Sequence, residues 1–153
     1  MRYNPAMDQV TKTPGWQDEI AALLRSHGIN PTTQRVTIGR IILSAFQHLS
    51  ADQVLKAVNE DKHFVSKATV YNTLNLFAKR QLVREVIVDP CKVFYDSNTS
   101  PHYHIYNEDT GELIDLKADQ LEVTGIPNLP ENTVEAGIDV IVRVHNRNRP
   151  VLN

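Results

Sequence analysis

Cysteine is almost missing from this sequence: Cys91 is the only one in 153 residues. That excludes an intrachain disulfide framework and any tetrathiolate zinc site supplied by a single chain, so metal chemistry must rest on histidine and carboxylate. No apolar run approaches the roughly 20 residues that a membrane span needs. No apolar stretch follows Met1-Arg2-Tyr3-Asn4-Pro5 as a secretory leader would. The expectation is a cytoplasmic protein with no membrane partner. A glycine-rich phosphate loop, a nucleophile elbow and an HExxH pair are all lacking, so catalysis finds no support and the expected class is not an enzyme. What is present is ordinary for a globular chain: 41% hydrophobic and 22% charged residues, enough for one compact domain or two small ones.

The formal net charge is only −2, but it is unevenly spread. Residues 1–84 carry 11 Lys+Arg against 6 Asp+Glu, a net of +5, whereas residues 85–153 carry 5 against 12, a net of −7. A basic half suits a polyanion such as nucleic acid, through release of its counterions, and an acidic half suits cations or a partner subunit. Solvated faces that happen to segregate would give the same totals.

The chain reads as α+β. Residues 1–13 are polar and aperiodic and form an expected flexible lead-in. From 14 to 96 the pattern is that of a winged helix-turn-helix. Trp16, Ile20, Leu23 and Leu24 recur at helical spacing and Gly28 stops them. Thr32 or Thr33 caps a second helix carrying Val36, Ile38, Ile41, Ile42, Ala45 and Phe46, with His48 at its end. Ser50 and Gln53 make a capping box for a third helix. Ser66 opens a fourth, through Val70, Tyr71, Leu74, Leu76 and Phe77, as far as Arg80. The period then falls toward two around Asp89-Pro90, the wing hairpin. Residues 97–101, short, polar and ended by Pro101, are the expected hinge. Residues 102–153 hold strands around His104-Ile105-Tyr106 and Glu112 to Leu116, and a last strand over Ile138 to Val144, giving a small α/β domain.

The fourth helix would be the recognition helix, which lies in the major groove. Lys67, Thr69, Tyr71, Asn72 and Asn75 offer a cation, hydroxyls and amides for phosphate and base contacts. A surface helix with Tyr71 half buried is the plainer alternative. His102 and His104, two apart on a strand, point the same way and can converge on one cation while Tyr103 faces oppositely. With Asp96, Asp115 and His48 they would form a shell of three imidazoles and two carboxylates, suited to iron, manganese or zinc. Ligands from both sides of the hinge would make a switch. His27, His63 and His145 have adequate structural roles, and Cys91 is an isolated thiol.

Pro31-Thr-Thr-Gln-Arg35, His48-Leu-Ser-Ala-Asp52, Ser66 to Phe77, His102-Tyr-His104 and Thr110-Gly-Glu-Leu-Ile-Asp115 together resemble the ferric uptake regulator family, from about Gly28 to Val144. The resemblance implies a homodimeric winged-helix repressor whose C-terminal α/β domain dimerises and whose interdomain metal site controls binding to a palindromic double-stranded DNA operator. Carried over position by position, His48, Asp96, His102, His104 and Asp115 match the five-ligand regulatory site of the peroxide-sensing branch. Tyr71 and Asn72 fall at base-contact positions and Arg35 at a backbone-contact position. Asn107 and Thr110 replace the Cys-x-x-Cys pair, so the structural zinc of many relatives is not expected. Pro101 and Tyr103 replace ligands of a second site, for which only Glu122 remains. These departures look most like the iron response regulator branch, which implies control of iron homeostasis genes and haem sensing, with His102 and His104 as haem candidates since the order Pro90-Cys91 reverses the Cys-Pro haem motif. A peroxide-sensing Fe/Mn-dependent repressor is the alternative within the family. A small His/Asp metalloenzyme or metal-storage protein is the alternative outside it.

Overall fold

A computed structural model of the chain describes residues 15–62 and 65–148. The expected lead-in over residues 1–13 and His63 lie outside the described residues. Contacts divide the chain into two units, one ending at Ser100 and the other opening at Pro101. The fold is α+β, a winged helix followed by a small α/β-type sheet unit.

The first unit contains α1 (Trp16–Ser26), α2 (Thr33–Leu43), α3 (Ala51–Val58) and α4 (Lys67–Lys79), with strands β1 (His48–Leu49), β2 (Arg84–Asp89) and β3 (Lys92–Asp96). The starts of α2, α3 and α4 are each set by a short polar residue that satisfies an otherwise orphaned backbone donor. The Thr32 hydroxyl accepts from the Arg35 amide at 3.3 Å. Ser50 and Gln53 close the capping box reciprocally, at 2.8 and 3.2 Å. Ser66 accepts from the Thr69 amide at 3.2 Å. The ends of α1 and α4 are alike: the Ile29 amide reaches Leu24 O and the Leu82 amide reaches Phe77 O, both at 2.9 Å, across a left-handed residue. That residue is Gly28 at φ 69° in one case and Gln81 at φ 58° in the other.

Ile20, Leu24, Ile38, Ile42, Val54, Leu74 and Phe77 are buried where the four helices meet. Each large side chain removed from water there contributes roughly 1.5–3 kcal/mol before entropy is counted. Gly39 lets α1 and α2 approach: a Cβ there would lie 3.0 Å from Ile20 Cγ2.

The extent of the second helix is corrected. The second helix stops at Leu43, short of Ala45 and Phe46, because the Gln47 side-chain amide turns back to donate to Ile41 O at 2.7 Å and Ile42 O at 3.3 Å. His48 is therefore not at a helix end. It lies on β1, which pairs antiparallel with β3 so that His48 faces Asp96 and Leu49 faces Tyr95. The wing is a three-stranded sheet in the order β1-β3-β2.

The second unit is a sheet in the order β5-β4-β6, built from β4 (His102–Asn107), β5 (Leu113–Lys117) and β6 (Ile141–Val144). Strand β4 is antiparallel to β5 and parallel to β6. The last strand begins at Ile141 and not at Ile138. A 3-10 turn over Ala118–Gln120 and irregular chain supply the long crossover that a parallel neighbour requires. Among the described residues no helix is long and apolar enough to cross a membrane.

Candidate metal centre and nucleic-acid interface

Backbone register creates the first pair of metal-capable donors. His48 and Asp96 are direct partners across β1 and β3, and His48 Nε2 stands 3.4 Å from Asp96 Oδ2. Asp96 is fully buried, and its other oxygen accepts from the Asn98 amide at 2.8 Å. Ser97, next along the chain, is fixed by donating to Ala45 O at 2.7 Å and accepting from the Gln47 amide at 3.1 Å. A carboxylate taken from water in this way needs a cation or several donors to offset its desolvation.

Within the second unit, alternation along β4 puts His102 and His104 on the buried face and leaves Tyr103 half exposed. Asp115 is the register partner of His104 on β5. Its Oδ1 lies 3.4 Å from His102 Nε2 and 3.7 Å from His104 Nε2. The two rings meet edge to face, their centroids 4.6 Å apart. One donor atom from each of the three lies within 4.8 Å of the others.

These separations exceed hydrogen-bond length. Donors in a tetrahedral shell with bonds of about 2.0–2.2 Å are themselves roughly 3.4 Å apart, so the spacing suits ligands converging on one small ion. Nitrogen and carboxylate oxygen are the donors preferred by first-row divalent metals. The residues fit such a group.

The nucleic-acid candidates occupy the first unit. Lys67, Thr69, Tyr71 and Asn72 all lie in the first half of α4, and Arg35 in the first turn of α2. Lys67 and Asn72 are exposed, whereas Thr69, Tyr71 and Arg35 are half buried. Arg35 donates to Asn30 O at 3.1 Å, and the Thr69 hydroxyl is within 2.9 Å of Ser66 Oγ. Tyr71 donates its hydroxyl to Asp52 Oδ1 at 3.3 Å. Asn75 accepts from the Tyr95 hydroxyl at 2.7 Å, which ties α4 to the wing. Burial, followed by the charges of Glu85 and Tyr71, pushes the Tyr95 phenol above its ordinary range, so it stays a donor there.

Sequence reasoning missed two groups. Asp52, read only as part of a capping sequence and of a family motif, faces both Lys67 and Tyr71. At the far end of the sheet unit, Asn107 accepts from the amides of Asp109 and Thr110, at 2.9 and 3.2 Å, and donates to Asn146 Oδ1 at 2.9 Å. Asp109 accepts from the Asn146 amide at 2.7 Å, and His145 Nε2 is 3.0 Å from Glu108. Asn-Glu-Asp in a turn followed by a returning strand was the available signal. The remaining candidate, Glu122, is exposed in the irregular stretch after β5, and His27 caps α1 with its Nδ1 3.1 Å from Leu23 O.

A profile of the Ferric uptake regulator family matches residues 26–135. The peroxide-responsive repressor PerR of Staphylococcus aureus is 36% identical over 104 residues, 68% of this chain and 70% of that protein. The solved structure of the ferric uptake regulator from Pseudomonas aeruginosa with manganese is 26% identical, covers 82% of this chain and 96% of its own, and superposes with a TM-score of 0.63. The Vibrio cholerae ferric uptake regulator shares the fold at 21% identity and a TM-score of 0.63, covering 82% of this chain and 98% of its own.

Proposed function

The chain belongs to the ferric uptake regulator family, and from that premise we propose how this metal-responsive transcriptional repressor senses its effector and reads DNA. It is a regulator and not an enzyme, as the family is. The regulatory ligands are His48 and Asp96 from the winged helix and His102, His104 and Asp115 from the sheet unit, holding one divalent ion per subunit. Fe(II), Mn(II) and Zn(II) are the candidate ions, in keeping with the His/Asp donor set and with the manganese named for the Pseudomonas relative. When bound, the ion supplies positive charge that offsets the buried Asp96 carboxylate. The residues do the rest: β1–β3 pairing holds His48 to Asp96, β4–β5 pairing holds the two imidazoles to Asp115, and ion capture by both sets couples DNA reading to metal supply.

The observation that carries this reading is the convergence of His102 Nε2 and His104 Nε2 on one Asp115 oxygen. The same observation favours an ion over haem. Both imidazoles are buried with their Nε2 atoms turned to the Asp115 carboxylate, a contact that either would have to give up in order to hold haem. Lacking the Cys-x-x-Cys pair, the chain holds no structural zinc in this reading. The hydrogen-bonded turn of Asn107, Asp109 and Asn146 closes that end of the sheet instead.

The partner macromolecule is a palindromic double-stranded operator, read by a homodimer in the cytoplasm. Support for the dimer comes from the outer face of the sheet, where Ile105 stands between its register partners Ile114 and Val142, and both of the latter are exposed. The regulated genes in this reading are those of iron homeostasis, as in the iron response regulator branch that the departures resemble. Peroxide sensing is the second reading, favoured by the identity to PerR. A gain of one oxygen on His48 or His102 after exposure to Fe(II) and peroxide would select it.

Calorimetric titration of the apoprotein with Mn(II), followed in parallel by binding to duplexes selected from a random pool, tests the site. One ion per subunit, with a change in duplex affinity, is expected. The His102→Ala, His104→Ala double variant should stay a folded dimer and lose the ion. Stoichiometric metal retained by that variant would remove these ligands from the site.

A further inference from the structure

We propose that Asp52 is a specificity-determining positioning residue: its carboxylate occupies, toward Lys67 and Tyr71, the place of a DNA backbone phosphate, and only a correctly seated duplex displaces it. The proposal rests on the reading of α4 as the recognition helix.

The geometry is local to the helix-turn-helix. Asp52 is the second residue of α3, and the Ser50–Gln53 capping box fixes the turn it stands on. Lys67 opens α4, and Tyr71 lies four residues on, on the same helix face. A single oxygen, Asp52 Oδ1, meets both: Lys67 Nζ at 3.6 Å and the Tyr71 hydroxyl at 3.3 Å. Lys67 Nζ also sits over the Tyr71 ring, 5.5 Å from its centroid. An anionic oxygen taking an ammonium and a hydroxyl at once is the pattern by which phosphates are held on DNA-binding surfaces. Asp52 thus keeps the two side chains together and pre-shaped for that contact.

The contact is easy to exchange. The Lys67 and Asp52 side chains are 66% and 69% exposed, so water screens their attraction and little is lost when a phosphate replaces the carboxylate. What remains after exchange is a carboxylate close to a polyanion. A duplex that satisfies both Lys67 and Tyr71 compensates for that repulsion. A non-specific duplex, on which α4 is not seated, leaves both Lys67 and Tyr71 on Asp52 and the repulsion unrelieved. Asp52 therefore weakens non-specific binding more than operator binding, and the ratio between the two is what selects a site among a genome's competitors.

The test compares wild type, Asp52→Asn, Asp52→Glu, Lys67→Ala, Tyr71→Ala and the Lys67→Ala, Asp52→Asn double variant. Full-length Mn(II)-loaded protein is used, on the duplex that wild type selects from a random pool and on a scrambled duplex of equal length, across a salt series. The amide in Asp52→Asn keeps an acceptor for Tyr71 while removing the charge. That variant should bind the scrambled duplex about 3–10-fold more tightly and the selected duplex less than about 3-fold more tightly, with a salt slope steeper by about 1 as Lys67 gains a phosphate. Asp52→Glu, which keeps the charge, should restore the wild-type ratio. In the Lys67→Ala background the Asp52→Asn effect on slope should vanish. A merely structural role for Asp52 would move the melting temperature but neither the slope nor the ratio.

An unchanged ratio and slope in Asp52→Asn, with Lys67→Ala and Tyr71→Ala impaired, would overturn the proposal and leave the recognition helix standing. Weaker binding of both duplexes by Asp52→Asn would overturn it also, by making the carboxylate a contact that the complex needs. Wild-type binding by both Lys67→Ala and Tyr71→Ala would instead remove α4 as the reading helix, and the proposal with it.

Discussion

Tyr71 combines three demands that few residue types meet. Its ring lies half buried against the core, its face takes a lysine ammonium, and its hydroxyl is held by Asp52 at the helix surface. Truncating it removes a group able both to pack on a thymine methyl and to reach phosphate. Tyr71→Ala is expected to weaken operator binding by about 1–3 kcal/mol per subunit while leaving the dimer intact. Titration of a selected duplex, paired with sedimentation of the free protein, checks both halves of that statement. At this scale the sequence was legible wherever period and chemistry coincide. His102 and His104 declared their shared face because alternation on a strand needs no tertiary information. The placement of His48 did not, because Ala45 and Phe46 continue the helical spacing and only the turned-back Gln47 amide ends the helix. Asp52 escaped notice since a residue in a cap sequence already has a local explanation.

The helices follow their capping chemistry closely, and the two matched C-terminal ends show where local rules are obeyed and where they are overruled. Gly28 supplies the left-handed turn at no steric cost, and it was readable as a stop. Gln81 adopts the same conformation at φ 58° because burial of Leu82 behind it holds the chain there. Such a residue carries strain that glycine would not. Gln81→Gly should raise the stability of the winged helix by about 0.5–1 kcal/mol, read as a higher urea midpoint with an unchanged slope. A lower midpoint would mean that the Gln81 side chain makes contributions beyond its backbone. Strand boundaries were harder to read. The two-residue strand β1 has no pattern of its own to detect, and β6 begins three residues later than its apolar alternation suggested, since pairing with β4 and not hydrophobicity sets its edge.

Taken whole, the chain joins a basic N-terminal part, suited to a polyanion, to an acidic C-terminal part, suited to cations, and the charge split was visible before any fold was known. The proposed dimer face was not, because Ile105, Ile114 and Val142 come from three strands whose order only the folded sheet reveals. Ile114→Asp places a charge in the middle of that row. It is expected to give a folded monomer that binds the palindrome far more weakly, since each half-site is then bound without the other. Equilibrium sedimentation and circular dichroism decide it: a dimer retained by Ile114→Asp would move the interface elsewhere.

The small strand β1 also sets an order of events in time. The Gln47 amide bonds to Ser97, a residue 50 positions away, and the pairing of His48 with Asp96 spans almost the same stretch. Closing so long a loop is slow and must await most of the intervening chain, whereas the helices need only near neighbours. On a ribosome the helical bundle can therefore form while the His48–Asp96 pair does not yet exist. With the ligands proposed above, competence to capture an ion is expected as a late event of synthesis, so that an unfinished chain would leave the metal pool untouched.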